Sequence, residues 1–247
     1  MKFFIVTFCA IAAVAAENYC DPSLCTVWGW NLGPHIACPG YYQNKCEPGA
    51  REIVITPELR QLILDKHNRY RDDLAGGRVH GFERAAHLPE MTWDDELAFI
   101  ASKNAMNCDF AHDKCRNTRR FKQAGQNLAY ASGNLPENAN DYVFIEDAIK
   151  GWWDEHKDCD QRITDQYPQR MSGRMILHFT AMAHEHNYKV GCAASHYQGN
   201  TRYLVCNYAT VTITGKPVYK RGRRNCKYGY SQRYPNLCAS ADIDDEE

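Results

Sequence analysis

Cys108-x-x-x-His112-x-x-Cys115 brings two thiols and an imidazole together at spacings that a zinc site uses, although in an oxidising compartment the same thiols serve as disulfide partners. His184-Glu185-His186 is a second cluster of ligating side chains, and it reads as exposed loop. The chain contains no Gly-x-Ser-x-Gly elbow, no glycine-rich phosphate loop and no His-Glu-x-x-His helix. Serine-hydrolase, phosphate-loop and zinc-protease chemistry therefore have no carrier. Lys220-Arg221-Gly222-Arg223-Arg224 offers cations to a sulfated glycan or an acidic membrane surface, or else is a solvated loop. Trp28 and Trp30 either pack under the surrounding Cys-rich segment or stand exposed as anchors for a partner or a membrane.

The compartment decides between the two readings of the thiols. Lys2 precedes a stretch, Phe3 to Val14, that is apolar apart from Thr7, and Val14-Ala15-Ala16 supplies small residues for a signal peptidase. Residues 1–16 are therefore expected to be a secretory signal, and the mature protein to be secreted and extracellular. No later stretch is apolar for long enough to form a transmembrane helix. Of the 12 Cys, Cys9 leaves with the signal, and the odd remainder predicts at least one cysteine outside the disulfide framework. No Asn-x-Ser/Thr sequon occurs. The net charge is −1, and much of the acidity lies in Asp242, Asp244, Asp245, Glu246 and Glu247. Without Lys2 and those five acids, 28 basic face 25 acidic residues, a balance that excludes a nucleic-acid binder.

Four regions follow from the pattern: a signal at 1–16, a Cys-rich N-terminal arm at 17–55, the main domain at 56–215, and a C-terminal extension with an acidic tail at 216–247. The arm carries Cys20, Cys25, Cys38 and Cys46 with little periodicity and needs a larger body to hold it. Thr56 as N-cap and Pro57 at the first turn open a helix with Leu59, Leu62, Ile63, Tyr70 and Leu74 on one face, ended by Gly76-Gly77. A second helix is predicted over 94–108 with Leu97, Ile100, Ala101 and Ala105 inward, and a third over 141–156 with Ile145, Ala148, Ile149 and Trp152 inward. Tyr188-Lys-Val-Gly-Cys-Ala and Tyr203-Leu-Val-Cys-Asn-Tyr read as strands about a Gly199-Asn200 turn, which sets Cys192 opposite Cys206 within disulfide reach. Cys226 and Cys238 bracket a Gly/Tyr/Pro-rich stretch and are expected to staple each other. The fold class is α+β.

Six strings, in order, resemble the CAP superfamily: His67-Asn68-x-Tyr70-Arg71, Trp93-Asp-Asp-Glu-Leu-Ala98, Gly125-Gln-Asn-Leu-Ala129, Trp152-x-x-Glu155, Leu177-His178-Phe179-Thr180 and Tyr203-Leu-Val-Cys-Asn-Tyr208. The Asn18-Tyr-Cys opening and the Cys spacing resemble the insect antigen 5 branch, and the stapled extension its fly members. The resemblance implies a three-layer α-β-α sandwich carrying the Cys-rich arm and the disulfide-stapled extension. It implies the pairs Cys20–Cys38, Cys25–Cys115, Cys46–Cys108 and Cys192–Cys206. With Cys226–Cys238 added, Cys159 is left unpaired and available to bridge a dimer. The sequence departs from the family where Leu177 replaces a common Gly and Thr210 replaces a common Pro, and it has no Arg-Gly-Asp.

The resemblance also implies a central cavity. His112 and His178 match its two histidines, and Glu155 and Gln126 its two acidic positions. Such a set would hold zinc or copper weakly, with no obligatory cofactor, because Gln126 lacks the charge of Glu. Leu59, Ile63, Ile145 and Ile149 are candidates to line an apolar ligand channel. The functional expectation is a salivary or haemolymph binding module for a small hydrophobic ligand or a host or immune protein. The alternative is a metal-dependent hydrolase or redox enzyme at the His/Glu cavity, for which no nucleophile is evident.

Overall fold

A computed structural model describes residues 17–40, 45–133, 140–169, 173, 175–197 and 200–240. The predicted signal, the acidic tail and Gly199 lie outside the described residues. In chain order the elements are β1 (Thr26–Val27), β2 (Trp30–Asn31), β3 (Arg51–Ile53), α1 (Pro57–Ala75), β4 (Thr92–Trp93), α2 (Asp95–Ala105), β5 (Gly125–Ala131), α3 (Asp141–Asp154), α4 (Gln161–Asp165), α5 (Leu177–Ala183), β6 (Lys189–Tyr197) and β7 (Thr201–Tyr208). Short 3₁₀ turns cover Pro22–Cys25 and Glu155–Asp158.

Local chemistry sets the helix starts. The Thr56 hydroxyl accepts from Leu59 N at 3.2 Å, with Pro57 in the first turn, where its missing N–H costs nothing. Asp94 caps α2 through Leu97 N at 2.9 Å, and Asn140 caps α3 through Tyr142 N at 2.9 Å. The second helix stops at Ala105, short of the predicted end, and Cys108 turns into the left-handed region at φ 53°. The third continues past Asp154 as a 3₁₀ turn that begins at Glu155.

The main sheet has the order β3-β6-β7-β5, with β4 parallel to the first residues of β6. β5, β6 and β7 pair antiparallel, and the register sets Cys192 directly against Cys206. α2 covers one face and α1, α3 and α5 the other, so the strands are buried on both sides. Along β7, Leu204, Cys206 and Tyr208 point into the larger core while Tyr203 and Val205 point toward Ala101 and Ala105 of α2. This is the three-layer α-β-α sandwich. Gly191 permits the close α2 layer: a Cβ there would meet Ala98 N at 2.1 Å and Asp94 O at 2.4 Å.

The disulfides are Cys20–Cys38, Cys25–Cys115, Cys46–Cys108, Cys192–Cys206 and Cys226–Cys238. Three of these bonds lie within the arm or tie it to the body. Cys159 stands outside them, half-buried against the main core, with its thiol directed at Asp160 O.

Motif polar residues are spent on architecture. Asn68 exchanges two hydrogen bonds with the Met91 backbone, at 2.8 and 2.7 Å, as a strand neighbour would. Arg71 is fully buried and donates to the carbonyls of Met182, His184 and Pro89 at 2.9, 2.9 and 3.0 Å. His184 and Glu185 correct the exposed-loop expectation: both are buried, and only His186 is exposed. The reason is the C-terminal extension, which packs over them. Glu185 N donates to Val218 O, and the Glu185 carboxylate accepts from Lys220 N at 2.8 Å.

Candidate functional site

His112 sits in the loop between α2 and β5, Gln126 on β5, Glu155 at the first residue of a 3₁₀ turn, and His178 in the first turn of α5. The chain segments that carry them are far apart in sequence, and the sheet brings them together as two coupled halves.

In the first half, His112 Nδ1 donates to Gln126 Oε1 at 2.8 Å. The amide orientation follows from its other partners. Gln126 Nε2 donates to Asp113 Oδ2 at 2.8 Å and to Asn207 Oδ1 at 3.0 Å, so only the carbonyl oxygen is left for the imidazole. That fixes the proton on Nδ1 and leaves Nε2 of His112 with its lone pair. Asp113 is in turn held by Arg116 at 2.8 Å and by Asn104 Nδ2 at 2.9 Å. Partial desolvation first, and after it the nearby Arg116 guanidinium, hold the His112 pKa below its ordinary value; the Gln126 hydrogen bond works against them. A carboxylate in place of the Gln126 amide would face the oxygens of both Asp113 and Asn207. The glutamine is therefore the residue type this surrounding requires.

In the second half, His178 Nδ1 donates to Glu155 Oε1 at 2.6 Å. Oε2 of the same carboxylate accepts from His178 N at 2.9 Å and Phe179 N at 3.2 Å. Ile176, the residue before α5, has no side chain able to cap, so Glu155 reaches across to satisfy two of the orphan amides of that helix. The carboxylate thus orients the ring and leaves Nε2 of His178 unprotonated. Trp152 stacks on this ring with centroids 5.9 Å apart.

β5 connects the halves. Asn127, next to Gln126, donates to His178 O and to the Tyr208 hydroxyl, each at 3.2 Å. Tyr208 OH then donates to His67 Nε2 at 2.9 Å, and His67 Nδ1 to Ile63 O at 2.8 Å. Burial pushes His67 down to about 4, so it is a neutral link. Asp113, Asn127 and Asn207 were missed from the sequence; only the Gly-Gln-Asn and Cys-Asn-Tyr strings hinted at them. Among the described residues no group of three or more His, Cys, Asp or Glu converges as a metal site.

Residues 64–208 of this chain match CAP, the cysteine-rich secretory protein family. The chain belongs to the CAP family. It is 41% identical over 238 residues to venom allergen-1 of Aedes albopictus, covering 90% of this chain and 87% of that protein. It is 38% identical over 206 residues to the antigen 5 like allergen Cul n 1 of Culicoides nubeculosus, covering 81% and 93%. These relatives place it among the antigen 5-like CAP proteins of insects. The crystal structure of NaASP2 with Zn2+ is similar at TM-score 0.62 and 25% identity, over 74% of this chain and 96% of that one. BmVAL-1 shares the fold at TM-score 0.65 and 22% identity, over 78% and 97%.

The other candidate residues of this CAP protein fall elsewhere. Leu59 and Ile63 of α1 and Ile145 and Ile149 of α3 are all buried in the main core, beside Trp152 and Phe179. Trp28 and Trp30 are 74% and 78% exposed on the β1–β2 hairpin of the arm. Trp28-Gly29 forms its two-residue turn, with φ 51° and 82°. A bulky side chain seldom accepts that left-handed conformation.

Proposed function

We propose that this CAP protein is a secreted binding module that engages a host extracellular protein through its Cys-rich arm. The observation that carries the reading is the pair of exposed tryptophans on a clamped hairpin. Exposed indoles cost solubility and are enriched as contact anchors. The Cys20–Cys38 and Cys25–Cys115 disulfides flank the hairpin and lower the entropic cost of ordering it on a partner. The strained backbone at Trp28 is of the kind that persists at functional positions. Secretion is supported by the five disulfides and by the venom and allergen relatives. No helix among the described residues is long and apolar enough to cross a membrane.

The test uses the secreted protein immobilised and exposed to vertebrate plasma, with Trp28→Ala/Trp30→Ala and His178→Ala as paired variants. Saturable retention of a plasma protein by the wild type and His178→Ala, weakened at least tenfold in the double variant, supports the arm. The same retention by all three refutes it.

The two histidines support a second reading: His112 and His178 hold zinc or copper weakly and reversibly. Both imidazoles keep an Nε2 lone pair because Nδ1 is committed to Gln126 in one case and Glu155 in the other. Two such donors leave the remaining positions to water, which suits a labile rather than a structural ion. The zinc in the NaASP2 crystal structure is consistent with this.

A further inference from the structure

Three guanidinium groups stand around one recess, and among the described residues none of them forms an ion pair. The recess has a volume of about 630 Å³ and is lined by Gly77, Phe82, Arg84, Gly222, Arg223, Arg224 and Tyr230, with Glu83 at its edge. Arg84 and Arg223 form no ion pair with any described residue. Among the described residues Arg224 donates only to neutral oxygens, Pro235 O at 3.0 Å and Asn236 Oδ1 at 2.7 Å. Glu83, the single carboxylate among the lining residues, is engaged by Arg221, whose guanidinium lies 2.6 Å away and also reaches Asp165 at 3.3 Å.

The arginines are presented by a rigid frame. Ala86 N donates to Lys220 O at 2.7 Å, Gly222 N to Arg84 O at 2.9 Å, and Asn225 N to Ala86 O at 2.8 Å. These bonds clamp the segment after α1 to the C-terminal extension, and the Cys226–Cys238 disulfide closes the extension on itself. Gly77, at φ 72°, lets the Arg84 side chain lie across it: a Cβ there would come within 2.9 Å of Arg84 Nε. Arg224 lies over the ring of Tyr230, 5.2 Å from its centroid, and that ring is half exposed at the rim.

From this arrangement we propose that the recess is a binding site for a sulfated glycan chain. Guanidinium forks pair with planar or tetrahedral oxyanions through two parallel N–H donors, which a lysine cannot do. The rim tyrosine offers a face on which a sugar ring packs. Interfacial membrane binding scales with buried apolar area, and this lining offers few apolar side chains beside its arginines. The site is independent of the Trp28–Trp30 hairpin and of the His112–His178 site, and it stands or falls without them.

The experiment titrates the full secreted protein with a heparin-derived hexasaccharide, in calorimetry and on a heparin column. Arg84→Ala/Arg223→Ala removes the two unpaired guanidiniums, both of them exposed. Lys114→Ala/Lys122→Ala makes the same change in net charge elsewhere on the surface. The expected result is saturable binding by the wild type, at least a tenfold loss in the arginine pair and less than a twofold change in the lysine pair. Chemically desulfated heparin is expected to bind at least tenfold more weakly than heparin. Arg84→Lys/Arg223→Lys, which keeps the charge and loses the fork, is expected to fall between wild type and the alanine pair. Equal losses in the arginine and lysine pairs would reduce the effect to bulk charge and overturn the site. So would unaltered binding by the arginine pair, or binding to phosphatidylserine vesicles without binding to heparin.

Discussion

Glu155→Gln changes one atom and breaks a count. Three N–H donors converge on the carboxylate: His178 Nδ1 at 2.6 Å, His178 N at 2.9 Å and Phe179 N at 3.2 Å. Two acceptor oxygens serve all three. Glutamine has one, and its NH₂ then meets a donor on the other side. If its oxygen keeps the two amides of α5, its NH₂ faces His178 Nδ1 and drives the ring to the opposite tautomer, with the proton on Nε2. A charge-assisted hydrogen bond to a largely buried group is replaced by a neutral one, at a cost of about 1–2 kcal/mol. The lost negative charge at the start of α5 adds about 0.3–1 kcal/mol. A total near 2 kcal/mol is expected in urea unfolding at neutral pH with the disulfides intact. Proton transfer to Nε2 also removes a metal-binding lone pair, so zinc affinity by calorimetry falls by about 10–100-fold. Nitrogen chemical shifts of His178 report the tautomer directly. A variant within about 0.5 kcal/mol of wild type, with the proton still on Nδ1 and unchanged zinc heats, would refute both the donor count and the metal reading built on it.

Two further outcomes follow from the same network and layers. His67 is buried and titrates at about 4 in the folded protein against 6.5 when free, so between these values the unfolded state binds the extra proton. Its contribution of about 3 kcal/mol is full above pH 6.5 and is lost as the pH falls through 4; His184, pushed down to about 3 by burial, acts in the same direction over a wider window. Unfolding free energies measured from pH 7 to 3.5 are expected to show a slope that His67→Gln lowers by about one proton, and an unaltered slope would contradict the assignment. Gly191→Ala sets a methyl against the α2 backbone and is expected to cost more than about 3 kcal/mol in thermal or urea unfolding, whereas a loss below about 1 kcal/mol would show that α2 moves freely over the sheet.

Much of the framework was written in short-range patterns. The apolar face of α1 with Thr56, Pro57 and Gly76-Gly77 at its ends, the inward residues of α3, and the Cys192–Cys206 opposition each depend on neighbours within a few turns or one hairpin, so they are legible from the sequence. The edge strands were not. β3 and β4 are three and two residues long and exist only because β6 offers unpaired backbone. β5 shows no clean alternation because its sheet is covered on both faces. The sequence, through its family resemblance, named His112, Gln126, Glu155 and His178 together, but only the tertiary structure assigned their roles. It put Gln126 between His112, Asp113 and Asn207, where an amide satisfies what a second carboxylate would oppose. It made Glu155 the cap of a helix more than twenty residues away, with both oxygens committed. It buried His184 and Glu185 beneath an extension that follows them in the chain, and left Trp28 and Trp30 in solvent. Residue type and spacing limit what a group can donate or accept; which partners surround it, and whether water is among them, depends on segments that meet only when the chain folds.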